Sequence, residues 1–320
     1  MNKKKLLYIA PDHYSFYKVI LEGFINYSDY DVQFIYSNKS DAFKYKNFMQ
    51  RVYNFFLKTF TKKNLKKNYK KEYFNNKLNQ YEEYDLLFIN RPDIFSDSQL
   101  EEITKKCKKT IVYYWDSFEK IEGQFETLKY FDKAYSFDRF DCEKYGMIKI
   151  HNFFYNSDNS KNPEFDVFFF GTYDNRYDYL IRILDFIANQ NLKVHSTLFS
   201  YDKNISSKKK HKNISFISKI TPFNESYTYN QNTKIILDIQ HETQVGLSFR
   251  PYEAMGLKKK LITTNLHIKE YDFYNPNNIF IWEEHTTEIP KSFLEIPYQD
   301  IDKKLYEKYK LENWIKSILS

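Results

Sequence analysis

Residues Lys234 to Asn265, KIILDIQHETQVGLSFRPYEAMGLKKKLITTN, decide the fold. Lys234–Ile239 is a short apolar run of strand type. Gln240–Leu247 is polar and contains Gly246. Ser248 is a helix N-cap residue, and Pro251 falls in the first turn, where a missing N–H does no harm. Gly256 lies near the helix end. Lys258, Lys259 and Lys260 follow, where the negative end of a helix dipole favours cations. Leu261–Thr264 then reads as a buried strand. Strand, loop, short helix and strand make a βαβ unit, which implies a parallel sheet and a right-handed crossover.

The chemistry of this unit sits at the helix start. Free N–H groups there, with Arg250, form an acceptor for a phosphate or pyrophosphate. Glu253, three residues on, projects from nearly the same face and is placed to accept hydrogen bonds from sugar hydroxyls. The same residues also fit an ordinary βαβ unit with an Arg–Glu surface pair.

GLSFRPYEAMGLKKKLITTN resembles the donor-sugar segment of GT-B glycosyltransferases. It is especially similar to bacterial capsule and lipopolysaccharide glycosyltransferases related to the spore-protein glycosyltransferase-like family. The matching pieces are Gly246-Leu247-Ser248, Arg250, Glu253-Ala254-Met255-Gly256 and the strand Leu261–Asn265. Tyr271–Ile279, YDFYNPNNI, resembles the same families, and the likeness runs over roughly Phe165–Ser320. Many retaining members carry Glu-x7-Glu; here the position eight before Glu253 is Val245. The resemblance implies an α/β GT-B fold: two Rossmann-like domains facing across a cleft, with a C-terminal helix crossing back. It implies donor-binding roles for Gly246, Leu247, Ser248, Arg250 and Glu253.

The chain has 320 residues, of which 42% are hydrophobic, enough for two α/β domains of about 150 residues each. The 30 Tyr and 30 Phe beside only 6 Gly fit a bias toward AT-rich codons rather than stacking platforms. The net charge of +7 lies largely in local runs. Basic patches attract nucleotide-sugar diphosphates and anionic lipid as well as nucleic acid, so no nucleic-acid partner is expected. Cys107 and Cys142 lack metal or redox spacing and point to a reducing compartment. The apolar run after MNKKK ends at Pro11, too short for a signal peptide. No stretch of about 18 apolar residues spans a bilayer. A cytoplasmic protein is expected, working at the inner face of the plasma membrane.

From the start, the order is again βαβ: strand Lys5–Ala10, helix Tyr14–Ile25 and strand Asp31–Ser37, without a GxGxxG fingerprint. Residues 41–84 depart from that rhythm. They carry Lys62, Lys63, Lys66, Lys67, Lys70 and Lys71, with Phe48, Val52, Phe55, Phe56 and Phe60 near helical spacing, and predict an amphipathic helix pair. Such a pair is either a solvated insertion or a basic, aromatic surface resting on anionic lipid beside a lipid-linked acceptor. Asp85–Asn90, Thr110–Trp115 and Lys133–Phe137 read as strands, and Ser96–Cys107 as a helix. In a parallel sheet their ends at Asp12-His13, Arg91, Asp116 and Asp138 share one edge, where ligands bind. NSDNSKNP, residues 156–163, is a linker signal. The pattern divides the chain into an acceptor domain (1–155), a nucleotide-sugar domain (164–304) and a crossing helix (305–320). The second domain opens with strand Asp166–Gly171, helix Asn175–Asn189 and strands Lys193–Phe199 and Asn213–Ile217. A short helix Pro222–Asn230 precedes the central unit, Asn278–Trp282 is the last strand, and Leu305–Leu319 the terminal helix.

Sugar transfer needs a deprotonated acceptor hydroxyl, a stabilised diphosphate and a dry site. Arg250, the helix start at Ser248, and Lys219 or Gly171-Thr172 are candidates for the diphosphate. No metal or other cofactor is expected, as no DxD pair stands where it would chelate a diphosphate and the 7 His lack ligand spacing. For the base, His13 titrates near neutrality, with its neighbour Asp12 and with Asp116 as a second candidate. His241, after the central strand, faces the donor or caps its loop. The expected function is glycosyl transfer from a nucleotide-sugar donor to a surface polysaccharide or lipid-linked glycan acceptor. A GT-B-fold epimerase and a non-catalytic glycan- or nucleotide-binding protein are the alternatives.

Overall fold

A computed structural model describes residues 3–38, 43–61, 63–157, 162–241 and 245–320. The first domain holds β1 (Lys5–Ala10), α1 (Phe16–Tyr27), β2 (Asp31–Tyr36), α2 (Phe48–Thr61) and α3 (Leu65–Leu78). It continues with β3 (Leu86–Ile89), α4 (Asp97–Lys105), β4 (Thr110–Tyr114), β5 (Lys133–Ser136), α5 (Arg139–Tyr145) and β6 (Ile148–Lys149). All six strands pair in parallel, in the order β2-β1-β3-β4-β5-β6. A parallel sheet is covered on both faces, so its strands read as near-continuous apolar runs. Alternate residues of β1 accordingly enter two cores: Leu6, Tyr8 and Ala10 face one side, Leu7 and Ile9 the other.

The second domain holds β7 (Phe165–Thr172), α6 (Tyr177–Ala188), β8 (Val194–Phe199), α7 (Ile205–Lys208), β9 (Ile214–Ile217) and α8 (Phe223–Asn230). After these come β10 (Thr233–Asp238), α9 (Phe249–Gly256), β11 (Lys260–Thr263), β12 (Ile279–Ile281) and α10 (Lys291–Glu295). Its sheet is also wholly parallel, ordered β12-β11-β10-β7-β8-β9. Strand order reverses between β1 and β3 in one sheet and between β7 and β10 in the other. Open α/β sheets bind ligands at the carboxyl edge of such reversals.

The chain ends in two helices, α11 (Lys303–Lys308) and α12 (Leu311–Leu319), where one helix over 305–319 was expected. The break has a tertiary cause. Phe154 donates its N–H to Tyr309 O and accepts from Leu311 N, at 3.0 and 2.9 Å. That pairing stops the helix and redirects it. Leu305 and Tyr306 stay against the second domain, while Trp314, Ile315 and Ile318 are fully buried in the first domain's core beside Tyr8, Phe24 and Tyr113. The terminal helix thus crosses back.

Two other expectations change. The first helix begins at Phe16 rather than Tyr14, because Tyr14 and Ser15 take left-handed backbone angles (φ 50° and 58°) in a tight turn. Of the three lysines after α9, only Lys258 is exposed, paired with Asp300 at 2.7 Å. Lys259 and Lys260 are buried: one donates to Gln231 O at the end of α8, the other to Phe293 O and Ile296 O at the end of α10. They satisfy the carbonyl ends of neighbouring helices, not of their own. Of the expected linker 156–163, residues 158–161 lie outside the described residues, as do Lys62 and Glu242–Gln244.

Candidate active site

The reversal points of both sheets open onto one cleft of about 540 Å³, a size suited to a small-molecule ligand. The loop after β1 contributes His13 and Tyr14. The end of β7 contributes Gly171 and Thr172, the end of β10 His241, and α9 with its cap Ser248, Arg250 and Glu253.

α9 starts where the sequence places its cap. Ser248 Oγ accepts the Arg250 N–H at 3.2 Å and donates to Asp238 Oδ1 at 2.9 Å. Asp238 is buried at the end of β10, and its other oxygen accepts from Thr263 Oγ1 at 2.9 Å. Arg250 is held just as firmly. Its Nη2 and Nε donate to Phe170 O at 2.7 and 3.3 Å, and its Nη1 to Asp238 Oδ1 at 3.4 Å. Its guanidinium lies over the Phe169 ring, 4.7 Å from the centroid. Gly171 makes room for it: a Cβ there would stand 3.3 Å from Nη2 and 2.7 Å from the Phe169 ring. Burial lowers the Arg250 pKa, against the pull of Asp238. With 19% of its side chain exposed, Arg250 presents an oriented cation to the cleft rather than a free one.

Glu253 is buried and bonded to Asn230, not paired with arginine on the surface. Asn230 Nδ2 donates to Glu253 Oε2 at 2.8 Å, and among the described residues the buried Asn230 Oδ1 has no hydrogen-bond partner. Burial raises the Glu253 pKa, opposed by Arg250 and by the Asn230 hydrogen bond. Both residues line the cleft.

A second arginine, which the sequence reading did not single out, joins them. Arg176 grips Asp174 through Nη2 and Nε at 2.6 and 3.1 Å and donates to Ile239 O at 2.7 Å. Burial pushes the Asp174 carboxyl up, but hydrogen bonds from Arg176 outweigh it and hold it below the ordinary carboxylate value. Asp174 and Arg176 follow Gly171-Thr172 directly, so their place at a strand end was the available signal. Lys120, also not singled out, lines the cleft from the first domain and pairs with Asp116 at 2.5 Å.

On the opposite wall, His13 is exposed at the cleft mouth, its ring 4.6 Å from Tyr14 and 6.4 Å from Trp115. Surrounding protein displaces water and lowers its pKa; Asp116 works against this, and Arg91 and Lys120 with it. A lowered pKa leaves the imidazole neutral near pH 7, able to accept a proton. Tyr14 bridges the cleft: its ring meets Phe199 edge-on at 6.2 Å, and its carbonyl accepts from Phe223 N at 2.6 Å.

The remaining expected residues lie elsewhere. Asp12 accepts from Ser15 N at 3.2 Å, bracing the turn into α1, and does not line the cleft. Lys219 is exposed after β9 and does not line it either. Asp116 does not line it; it pairs with Lys120 and works to raise the His13 pKa. Gly246 and Leu247 serve the domain contact. A Cβ at Gly246 would stand 2.5 Å from Phe137 Cδ2 and 2.7 Å from Phe137 O. Leu247 O accepts from Asn152 Nδ2 at 2.9 Å. Gly246 also borders a smaller recess of about 170 Å³ shared with Arg176, His241 and Arg250.

No protein-family model matches the chain, and no curated protein matches it. Solved structures do. A UDP-N-acetylglucosamine 2-epimerase superposes with a TM-score of 0.52 at 10% identity, covering 100% of this chain and 95% of its own. The apo form of the lipopolysaccharide outer core galactosyltransferase WaaB gives 0.51 at 13%, covering 98% and 99%. A DNA-modifying β-glucosyltransferase gives 0.50 at 14%, covering 99% of both chains. The fold is GT-B. In GT-B terms, the second domain supplies Arg250, Arg176 and Glu253, and the first supplies His13 and Lys120.

Proposed function

We propose that this chain is a glycosyltransferase that moves a sugar from a nucleotide-sugar donor to a hydroxyl of a surface polysaccharide or lipid-linked glycan, in the cytoplasm and without a metal ion. The observation that carries it is the cleft itself. Two anchored arginines and a helix start line one wall, a neutral histidine stands at the opposite mouth, and a buried carboxylate lies between arginine and asparagine. A donor diphosphate would lie against Arg250, Arg176 and the α9 start, whose charges offset the negative charge that develops as it leaves. Glu253 and Asn230 would accept hydrogen bonds from donor hydroxyls. His13 would take the proton of the acceptor hydroxyl as its oxygen bonds to the anomeric carbon and the sugar–diphosphate bond breaks.

The 2-epimerase match supports a second reading, with acid and base acting on the donor sugar alone. A thermal-shift panel of nucleotide sugars tests both. Ligand at about 100 times its Kd stabilises by about 2.7 kcal/mol, a rise of several degrees. Product analysis of the binder then separates a joined sugar from an epimer. A panel in which nothing shifts the transition would refute the donor site.

A further inference from the structure

α2 is folded inside out. Its periodicity puts Phe48, Met49, Val52, Tyr53, Phe55, Phe56 and Phe60 on one broad arc, and that arc faces solvent. The six large residues other than Val52 are 52–78% exposed. Among the described residues of the helix only Asn54 is buried, at 2% exposure. Its amide is consumed inside the insertion, donating to Tyr45 Oη at 2.7 Å and accepting from Leu65 N at 2.8 Å. The helix pair is therefore anchored by a polar contact, and by Phe74 and Leu78 of α3 in the first domain's core, while its apolar side is uncovered. Phe56 and Phe60 stack on each other at 6.2 Å.

The charge around this face is strongly biased to one sign, with Glu72 of α3 as an exception. Residues 43–71 contain ten Lys and Arg and no Asp or Glu; with the whole chain at +7, the remainder is net −3. Arg51 and Lys58 flank the arc, and Lys63, Lys66, Lys67 and Lys71 are exposed beside it. The insertion leaves the sheet after β2, at the carboxyl edge from which His13 reaches the cleft. An apolar face rimmed mainly by cations matches a surface that is apolar beneath an anionic layer.

We propose that α2 and α3 dock this protein on an anionic lipid bilayer, with the aromatics of α2 seated in the acyl boundary and the lysines of α3 on the headgroups. Exposed aromatics gain burial there without displacing any protein contact. The lysines gain attraction that fades with ionic strength. The assignment rests on this helix pair alone and not on the chemistry of the cleft.

Co-sedimentation of the full chain with phosphatidylcholine vesicles, and with vesicles containing about one-third phosphatidylglycerol, tests it. Partition onto the anionic vesicles should exceed that onto neutral ones by at least about tenfold and fall as salt rises. The triple variant Phe48→Ser/Phe56→Ser/Phe60→Ser, and separately Lys63→Glu/Lys66→Glu/Lys67→Glu/Lys71→Glu, should each lose at least about tenfold in partition. Both should melt like the parent, because the replaced side chains touch no core. Equal partition onto the two vesicle types would overturn the proposal, as would aromatic and lysine variants that bind like the parent. A parent that light scattering shows to be a dimer, with a monomeric serine variant, would overturn it in favour of a second copy of this chain. Nucleotide-sugar thermal shifts on the same variants should match the parent, which separates failure of the surface from failure of the cleft.

Discussion

Glu253→Gln separates what the buried carboxylate does for the ligand from what it costs the fold. Glu253 is 7% exposed and spends one oxygen on Asn230. Glutamine is nearly isosteric and can turn its own oxygen to that amide, so the internal contact survives. The group facing the cleft then becomes an NH₂, which cannot accept a hydroxyl proton. Loss of a charged hydrogen bond costs about 1.5–3 kcal/mol, or roughly 10- to 150-fold in affinity for the intact nucleotide sugar. Nucleoside diphosphate affinity should change less. Stability should move the other way. Burial raises the folded Glu253 pKa above its ordinary value. Between those two values the folded chain binds more protons than the unfolded one, so this group's contribution falls as pH rises through the window. Above the raised pKa the penalty is complete, and Glu253→Gln lacks it. The variant should match the parent in acid and be equally or more stable at pH 7 to 8. Isothermal titration with the strongest-shifting nucleotide sugar and its diphosphate, and urea melts at pH 4 and pH 8, read both effects. A variant that binds the donor like its parent, or that loses stability toward neutral pH, refutes this account.

Arg250→Ala should weaken nucleoside diphosphate and intact donor alike, by about 1.5–3 kcal/mol. Urea melts should also show about 3–5 kcal/mol lost, since half of the buried Arg250–Asp238 pair is removed; a stable variant with unchanged affinity would make both roles wrong. His13→Gln should lower turnover about 10²–10⁴-fold with donor affinity intact. The parent's kcat/KM should fall in acid, with an apparent pKa below 6.5 because protein around the cleft mouth displaces water from His13 and lowers its pKa; an acid limb above 6.5 would exclude it. Gly246→Ala forces a methyl against Phe137 and should cost about 1–3 kcal/mol in urea melts, and a neutral result would show that the domain contact yields freely.

The unit from Lys234 to Asn265 was legible because its signals are local. Ser248 caps what it precedes, and two apolar runs flank one polar loop. What escaped the reading depends on partners far along the chain. The anchoring of Arg250 stays hidden because Phe170, which holds it, lies 80 residues away. Glu253 reads either as a hydroxyl acceptor or as half of a surface pair, and its burial stays hidden because Asn230, its partner, reads only as the end of a short helix. Arg176 reaches the cleft by way of Ile239, 63 residues on. The break between α11 and α12 comes from pairing with Phe154 and leaves no mark in Tyr309–Lys310. Periodicity located the apolar arc of α2 but cannot tell which way an arc faces; the buried Asn54 and the uncovered aromatics settle that only in three dimensions.

The loop from Val245 to Ser248 ties domain position to the wall of the cleft. At one end Val245 N and Gly246 N donate to Asp138 Oδ2 of the first domain, at 3.3 and 3.5 Å. Asp138 is buried and also caps α5 through Phe140 N and Asp141 N, so it cannot follow a moving loop cheaply. Next, Leu247 O is held by Asn152, which Tyr113 fixes in turn at 2.7 Å. At the other end Ser248 begins α9 and, through Asp238, shares an anchor with Arg250. Four consecutive residues therefore carry both a contact between the domains and the start of the helix that lines the cleft. A rotation of one domain against the other must strain these bonds or shift the helix start. Conversely, under the proposed function a diphosphate drawing on Arg250 would load the same loop. A Cβ at Gly246 would stand 2.5 Å from Phe137 Cδ2, so only glycine lets this loop approach the first domain so closely.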